Sequence, residues 1–489
     1  MGFLQTSIKR SIFAKRLLTM KRLFLLGLSF FYFTQGFAET TPQLTLQDAV
    51  FLALRYNISI KNNELDRTVQ KYDLALAYHG FEPQFSLTGS TSYENNKSNS
   101  VSTITESYSL EPKASLKTGL GTEVSLSMKN SYDGINYGQS ASLELTQPLL
   151  RGFGPAIAKN SLLNAIDQEK INQLNLKTTV TNQIKEVITR YRQLLLDYNS
   201  LRISKLSLQN SLRDAKKATL EMKAGQLSGL DILQSQSIIP RQQLEVSQAE
   251  NQLLQDKNNL LNTIGLRSDF QFTIPHNIEV NIIKLPSYQT AVQTALRNNI
   301  DYQIALINLK TSERNLQKAQ DDARWKLDLK ASVGSGSSGT GGSAGGIFDG
   351  ANNSRGIGLN LEIPLDKLKL NRDIAAAKIN LQKERMELSQ KQRAIELSVA
   401  TQLDNLRAKE QQIQLAIASR DINAKVLAAE RKKLEHGRTD VFRVNILQRD
   451  FIDSEQAIVQ HQINYLNALI ELQTLLGTLL DEWKIQIRY

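Results

Sequence analysis

The 489-residue chain contains no cysteine, and this absence excludes several kinds of chemistry. Disulfide bridges, thiolate metal sites, cysteine nucleophiles and a lipidated cysteine anchor all require that residue. The histidines, which are the other common metal ligands, are scattered along the chain: His79, His276, His436 and His461. We therefore expect no metal and no cofactor.

Proline and glycine are sparse outside one short stretch, so the composition is neither collagen-like nor that of a disordered chain. No apolar run approaches 20 residues beyond the N-terminus, so no helical membrane span is expected in the mature chain. The sequence also lacks a nucleophile elbow, a phosphate-binding loop and a metal-binding helix, and no catalytic residue is expected.

The N-terminus has the pattern of an export signal. Lys21 and Arg22 precede an apolar run from Leu23 to Phe33, and a small-x-small site ends at Ala38. These features predict a signal peptide over residues 1–38, with Met20 as a candidate initiator. A short membrane anchor is the alternative, but the run is too short to span a bilayer.

Much of the basic charge belongs to this leader. Residues 1–38 hold six of the 59 basic residues and no acid, so the mature chain has 53 basic against 48 acidic residues. A nucleic-acid partner loses its main electrostatic support and is not expected.

The sequence repeats itself at about half its length, which predicts a tandem duplication. Residues 49–58 match residues 291–300 at an offset of 242, and residues 225–228 match 437–440 at an offset of 212. The shorter second offset means that the first repeat carries about 30 additional residues. We predict one repeat over 39–270 and another over 271–489.

Each repeat contains a long helical hairpin, predicted near residues 160–264 and 366–479. Apolar residues recur at steps of three and four from Val180 to Leu201 and again from Val444 to Leu479, which is typical of coiled-coil seams. The first helices, near 160–222 and 366–434, would be roughly 90 and 100 Å long. Helices of that length must pack side by side in a bundle or a tube.

Each repeat also contains alternating stretches that predict β-strands, within residues 84–148 and 326–363. Residues 84–93, 139–147 and 355–363 alternate apolar with polar or small side chains over about ten residues. Transmembrane barrel strands and soluble antiparallel strands share this pattern, and the export signal and long helices favour the membrane. Two further strands, near 106–117 and 121–130, would either extend a barrel or form an external hairpin.

Two motifs with a potential chemical meaning have simpler interpretations. Residues 334–339 match G-x-G-x-x-G, but they lie in a low-complexity run with no helix after them, which favours a flexible loop over a nucleotide site. The acidic pair Asp321 and Asp322 is expected to be a solvated helix end rather than a catalytic pair.

The turns of the two hairpins are the candidate functional sites. Gly225 and Gly437 each follow a long helix, where glycine adopts the left-handed conformation that ends it. Asp231 and Asp440 are placed to cap the next helix. Both turns would form ordinary helix ends, and we expect them in addition to form an exposed rim that docks a partner.

Taken together, these motifs resemble the TolC-like outer-membrane efflux family over about residues 44–480. Leu46 to Asn57 resembles its N-terminal helix motif, and Gln147 to Gly154 resembles its strand-to-helix junction. The resemblance implies a homotrimer that is mainly α with a β-barrel part, in which duplicated helical hairpins form a periplasmic α-barrel. It also implies four transmembrane strands per protomer, two from each repeat.

The same resemblance implies location in the bacterial outer membrane and export of small molecules or proteins, as in efflux or type I secretion. The partners would be a periplasmic adaptor, an inner-membrane transporter and outer-membrane lipid. The docking tips would be formed by residues of the two turns: Gly225, Gln226, Leu227, Ser228, Gly437, Arg438, Thr439 and Asp440.

Family members carry acidic residues around a closed periplasmic aperture, and this sequence departs from that pattern. Arg443 stands where an aspartate would be expected, whereas Asp231 keeps its acid. The aperture would therefore be lined by Asp231, Arg438 and Arg443, with mixed or basic charge. The alternative function is a periplasmic coiled-coil adaptor, although adaptors have one hairpin rather than two.

Overall fold

The computed structural model describes residues 42–98, 101–223, 229–275, 278, 280–340 and 352–487. The predicted signal peptide and most of the glycine-rich stretch after residue 340 lie outside the described residues. A small unit contains residues 42–44 and 271–275, where Gln43 and Thr273 form a parallel bridge. The remaining described residues form the main unit.

Two helices open the main unit, and side-chain caps define where each begins. Helix α1 (Leu46–Tyr56) starts with a capping box in which Thr45 and Asp48 exchange hydrogen bonds. Helix α2 (Ile58–His79) is capped by Asn57, which accepts a hydrogen bond from the Ile60 amide. The repeated N-terminal motif of the sequence thus encodes the break between two short helices.

Six strands form one antiparallel sheet in the order β1 to β6. The strands are β1 (Gln84–Ser98), β2 (Val101–Lys117), β3 (Glu123–Tyr132), β4 (Asn136–Pro148), β5 (Lys326–Thr340) and β6 (Asn352–Glu362). The two further strands predicted near 106–117 and 121–130 are therefore β2 and β3, which lie in the sheet between β1 and β4. This differs from the expected four strands, because the inserted residues alternate and pair as full strands.

Alternation along the strands gives the sheet two chemically different faces. Leu126, Leu143 and Val333 lie directly opposite one another on β3, β4 and β5. On the other face the hydroxyls of Ser127 and Ser142 are hydrogen-bonded at 2.9 Å. Because side chains point alternately to the two faces, one face is apolar and the other is rich in serine and glycine.

Long helices make up most of the remaining chain. They are α3 (Pro155–Ala158), α4 (Asn160–Lys223), α5 (Gly229–Ile264), α6 (Tyr288–Asn298), α7 (Ile300–Asp322), α8 (Leu368–Glu435), α9 (Val441–Leu476) and α10 (Leu479–Glu482). The 64 residues of α4 and 68 of α8 correspond to about 96 and 102 Å. Both helices begin and end within two residues of their predicted positions.

The core contains residues of both predicted seams and also residues of α8, for which no seam was predicted. Ile184 and Tyr191 of α4 are buried, as are Val399 and Leu403 of α8 and Tyr465 of α9. Lateral contacts between the hairpins are more polar, because Lys185 of α4 pairs with Glu471 of α9 at 2.7 Å. The hairpins therefore pack along narrow apolar stripes instead of around one central core.

An asparagine ties the base of each hairpin to the short helices of its own half. The side-chain amide of Asn57 donates to the carbonyl of Thr263 at 2.7 Å. Asn299 donates in the same way to the carbonyl of Leu475 at 3.3 Å, and it also caps α7. The same contact therefore occurs in both halves of the chain, and the two asparagines are 242 residues apart in the sequence.

A glycine accompanies each of these asparagines, and both glycines have positive φ. Gly265 (φ +88°) follows α5, and a Cβ there would meet the carbonyl carbon of Tyr56 at 2.8 Å. Gly477 (φ +70°) follows α9, and a Cβ there would meet the carbonyl oxygen of Asn298 at 2.6 Å. Each hairpin base is so close to the C-terminal end of a short helix, α1 or α6, that only glycine fits.

The junction between sheet and helices rests on Asp321, and the expectation of a solvated acidic pair is wrong for this residue. Asp321 is buried and accepts a hydrogen bond from the Gly152 amide at 2.7 Å. Asp322 alone is solvated, with its carboxylate paired to Lys318. Asp321 is buried beside the turn that follows β4. The amide of Gly152 in this turn donates a hydrogen bond that compensates the buried charge of the carboxylate.

Candidate functional site at the hairpin turns

The second hairpin turn ends α8 in the way that its glycine predicts. Gly437 has φ +67° and its amide donates to the carbonyl of Leu434 at 3.0 Å. The Arg438 amide donates to the carbonyl of Lys433 at 2.9 Å. These bonds satisfy the last carbonyls of the helix and leave Arg438 exposed at the end of the hairpin.

Asp440 caps the next helix, as its position predicts. Its carboxylate accepts a hydrogen bond from the Arg443 amide at 2.7 Å. The backbone of Asp440 is extended, so α9 starts abruptly at Val441. Capping by a charged acid also complements the positive end of the helix dipole.

Glu430 organises this turn, and it was not among the residues predicted from the sequence. Its carboxylate accepts hydrogen bonds from the Thr439 hydroxyl at 2.6 Å and from Lys433 at 3.0 Å. It also pairs with Arg443, whose Nε lies 3.2 Å away. An acid seven residues before Gly437, two helical turns from the hairpin end, was the available signal.

The electrostatics of the turn follow from this arrangement. The hydrogen bond from Thr439, together with Lys433 and Arg443, holds the pKa of Glu430 below its usual range. Glu430 is therefore ionised at neutral pH and offsets part of the positive charge of Arg443. Arg438 has no such pairing in the described structure, so the two arginines are not equivalent.

The first hairpin turn is described only at its flanks. Helix α4 ends at Lys223 and α5 begins at Gly229. The predicted docking residues Gly225, Gln226, Leu227 and Ser228 lie outside the described residues. Asp231 belongs to the first turn of α5, but its side chain also lies outside the described part of the structure.

Exposed apolar side chains surround both turns. Leu230 and Leu233 of α5 are more than 60% exposed, and Phe442 of α9 is 58% exposed. Comparable exposure occurs elsewhere on the helices, for example at Leu397 (70%), so these three side chains are candidate contact residues through their position beside the turns.

A polar cleft of about 620 Å³ lies between the two hairpins close to these turns. Its walls come from α4, α5 and α9 and are mostly hydroxyl, amide and charged side chains. Burial raises the pKa of Asp214 in this wall, and Arg431 opposes the shift. The buried side-chain oxygen of Gln242 has no hydrogen-bond partner among the residues that the structure describes.

A buried carboxylate pair connects α4 and α5 farther from the turns. Burial and the neighbouring Asp256 raise the pKa of Asp197 to about 7. Gln193 donates to Asp197 at 3.0 Å, and Gln252 donates to Asp256 at 2.8 Å. Because two close carboxylates resist joint ionisation, the pair holds one proton up to near-neutral pH.

No group of three or more histidine, aspartate or glutamate side chains in the described part of the chain could hold a metal ion. No helix within the described ranges is long and apolar enough to cross a membrane.

The sequence matches the family profile of outer membrane efflux proteins over residues 50–266 and 291–478. The chain belongs to this family. No curated protein matches it closely enough to be counted as a relative. Family membership locates the protein in the outer membrane with a long periplasmic extension, and it identifies the protein as an efflux channel. The alternative of a periplasmic adaptor is not supported.

Solved structures of outer-membrane channels share the fold. CusC superimposes with a TM-score of 0.69 at 17% identity, covering 92% of this chain and 95% of CusC. The outer membrane protein VceC of Vibrio cholerae gives 0.68 at 14% identity, covering 88% and 96%. The open state of the MtrE channel of Neisseria gonorrhoeae gives 0.67 at 16%, covering 89% of each chain. The expected combination of helical barrel and β part is confirmed.

Proposed function

We propose that three copies of this chain form a continuous export duct across the periplasm and the outer membrane. The observation that carries the proposal is the sheet, in which an apolar face and a serine-rich face are both accessible. Leu143 and Leu145 are exposed on one face, and the hydroxyls of Ser127 and Ser142 lie on the other. Lipid suits the first face and a water-filled bore suits the second.

A row of tyrosines supports this orientation in the membrane. Tyr108, Tyr132 and Tyr137 lie side by side on β2, β3 and β4, and the last two rings stack at 4.4 Å. They lie on the apolar face beside the short turn after β3. Tyrosine rings of barrels concentrate at the level of the lipid headgroups, so this row would mark one interface of the membrane.

The hairpin turns would dock a periplasmic adaptor that is linked to an inner-membrane transporter. The docking residues would be those predicted from sequence, and the exposed Phe442, Leu230 and Leu233 would add apolar contact area. Arg438, Arg443 and Asp231 would line the periplasmic aperture. Small molecules or proteins would leave by this route, and the chain itself would carry out no chemistry.

The two halves, 39–270 and 271–489, would be structural repeats. The matching contacts of Asn57 and Asn299 support this division. The family match also falls into two segments, one in each half.

The docking proposal is tested by photocrosslinking in intact cells. A photoreactive amino acid in place of Arg438 or Phe442 should link the channel to a periplasmic adaptor, identified by mass spectrometry. The control is the same substitution at Met386, which is 64% exposed on α8 but about 75 Å from the turn. An adaptor captured equally at Met386, or at none of these sites, would contradict docking through the turns.

A further inference from the structure

The sheet contains six strands, and its two outer edges face no strand of the described chain. We infer that β6 of one copy pairs with β1 of the next, so that three copies close one barrel of eighteen strands. This inference rests on the trimer proposed above. It replaces the count of twelve that four strands per copy would give.

The inserted strands β2 and β3 are full members of the sheet. All 15 residues of β1 pair with β2, from Gln84 opposite Ser115 to Ser98 opposite Val101. The pairing between β2 and β3 is interrupted beside Pro112, which lacks an amide hydrogen. The register of the pairing is the same before and after this interruption. All ten residues of β3 then pair with β4.

Both faces continue without a break across the inserted strands. On the polar face, Ser90 of β1 and Ser109 of β2 are hydrogen-bonded at 2.7 Å. On the apolar face, the tyrosine row runs from β2 to β4. A hairpin left out of the sheet would expose its polar face to lipid if it lay outside the barrel. It would expose its apolar face to water if it lay inside the bore, and both arrangements are costly.

The edge strands are the most exposed part of the apolar face. Phe85 of β1 is 82% exposed and Ile357 of β6 is 79% exposed, whereas Leu126 and Leu143 on inner strands are 46% and 47% exposed. Side chains on inner strands are less exposed because a neighbouring strand covers them on each side, whereas an edge strand has a neighbour on one side only. The edges are also 15 and 11 residues long and contain no proline, so neither short length nor a missing amide hydrogen prevents further pairing.

A second copy is the occupant that fits both edges. Within lipid every backbone amide and carbonyl must be paired, so an open edge is not tolerated there. Because the number of strands is even and neighbours are antiparallel, β1 and β6 run in opposite directions. Pairing of β6 with β1 of the next copy therefore continues the antiparallel pattern, and cyclic symmetry repeats it until the ring closes.

The consequence is a wider opening in the outer membrane. At equal strand tilt the diameter of a barrel grows almost linearly with strand number, so eighteen strands give about 1.5 times the diameter of twelve. Single-chain barrels of 16–18 strands leave an aqueous channel. The polar face, with its serines and glycines and with charged side chains such as Glu144 and Lys330, would line this bore.

Disulfide crosslinking tests the strand order, because the natural chain has no cysteine. The pairs S90C/S109C and S127C/S142C should crosslink efficiently within one chain on oxidation. Ser90→Cys combined with cysteine at Gly138, Ser140 or Ser142 should not crosslink, because three strand spacings separate β1 from β4 by about 14 Å. Crosslinking of β1 to β4 in trimers would overturn the eighteen-stranded barrel.

Closure is tested by Ser90→Cys combined in turn with cysteine at Ser354, Gly356 or Gly358, which lie on the same polar face. At least one combination should convert the trimer to a covalently linked ladder in denaturing gels. Trimers that form no such link with any combination would overturn the inference while leaving the proposed function intact. If outer membranes contain no trimer before oxidation, the proposed function and the inference fail together.

Discussion

Arg443 and Glu430 form an ion pair across the second hairpin turn, with 3.2 Å between Nε of the arginine and Oε1 of the glutamate. The same carboxylate also binds Thr439 and Lys433, so one acid holds both sides of the turn. The positive charge that the sequence places at this end of the hairpin is therefore partly balanced. The net positive charge that remains at the turn depends on whether Glu430 is ionised.

Glu430→Gln should shift the ion preference of the channel towards anions, because Lys433 and Arg443 lose their counter-charge at every copy. Arg443→Asp should shift the preference towards cations. The pKa of Glu430 is lowered, so it is ionised at pH 7 and both effects should be present there. Reversal potentials across planar bilayers in a salt gradient measure these shifts.

The control for this charge change is Asp404→Asn, which removes an exposed acid on α8 about 39 Å from Glu430. It should leave the reversal potential unchanged. If Glu430→Gln and Arg443→Asp are also silent, the second turn does not contribute to the aperture.

Asp197→Asn should reduce the loss of thermal stability that accompanies a rise in pH from 5 to 8. The pKa of Asp197 is raised to about 7, so the folded state holds a proton that the unfolded state has already released above pH 4. Stability contributed by this group therefore falls as pH rises through that window. Unfolding midpoints of the purified protein at pH 5 and pH 8 measure the change.

The matched variant for this experiment is again Asp404→Asn, since Asp404 is 75% exposed and lies on another helix. Its midpoints should follow those of the natural protein at both pH values. An Asp197→Asn variant with the same pH dependence as the natural protein would show that the buried pair holds no proton.

Arg67→Met should destabilise the protein by about 3–5 kcal/mol, because it leaves the Glu169 carboxylate buried without its partner. Arg67 of α2 binds Glu169 of α4 through two nitrogens, and this contact lowers the pKa of Glu169. The double variant Arg67→Met, Glu169→Leu should recover most of the loss. Chemical unfolding of the three proteins tests the coupling, and equal losses in the single and double variants would contradict it.

Gly265→Ala and Gly477→Ala should both weaken the protein more than Gly437→Ala. All three glycines have positive φ, which costs alanine about 1–2 kcal/mol. A Cβ at Gly437 meets nothing within 4 Å, whereas at Gly265 it meets the backbone of Tyr56 and at Gly477 that of Asn298, the last residues of α1 and α6. Unfolding midpoints measure the order, and an equal loss in all three variants would contradict this packing.

The long elements were predictable because their patterns are local and extended. The seam of α4 repeats at intervals of three and four residues, and Lys223 ends the helix one residue beyond the predicted limit. Asp440 was also predictable, because a cap acts on the amide only three residues away. Such features need no knowledge of the remainder of the fold.

Long-range contacts were not predictable in this way. Asp321 was expected in solvent, but the Gly152 amide, 169 residues away, approaches it and makes a buried hydrogen bond. The role of Glu430 depends on Thr439 and Arg443 folding back across the turn. Whether β2 and β3 join the sheet depends on pairing with β1 and β4, and alternation alone does not specify a neighbouring strand.

Cryo-electron microscopy of the protein extracted from outer membranes into lipid nanodiscs would show directly how the copies are arranged. We expect three copies around one continuous water-filled bore, with α4, α5, α8 and α9 of each copy in its wall and six strands from each copy in the membrane. Particles with the helices packed into a solid bundle, or a single copy with no bore, would contradict this arrangement.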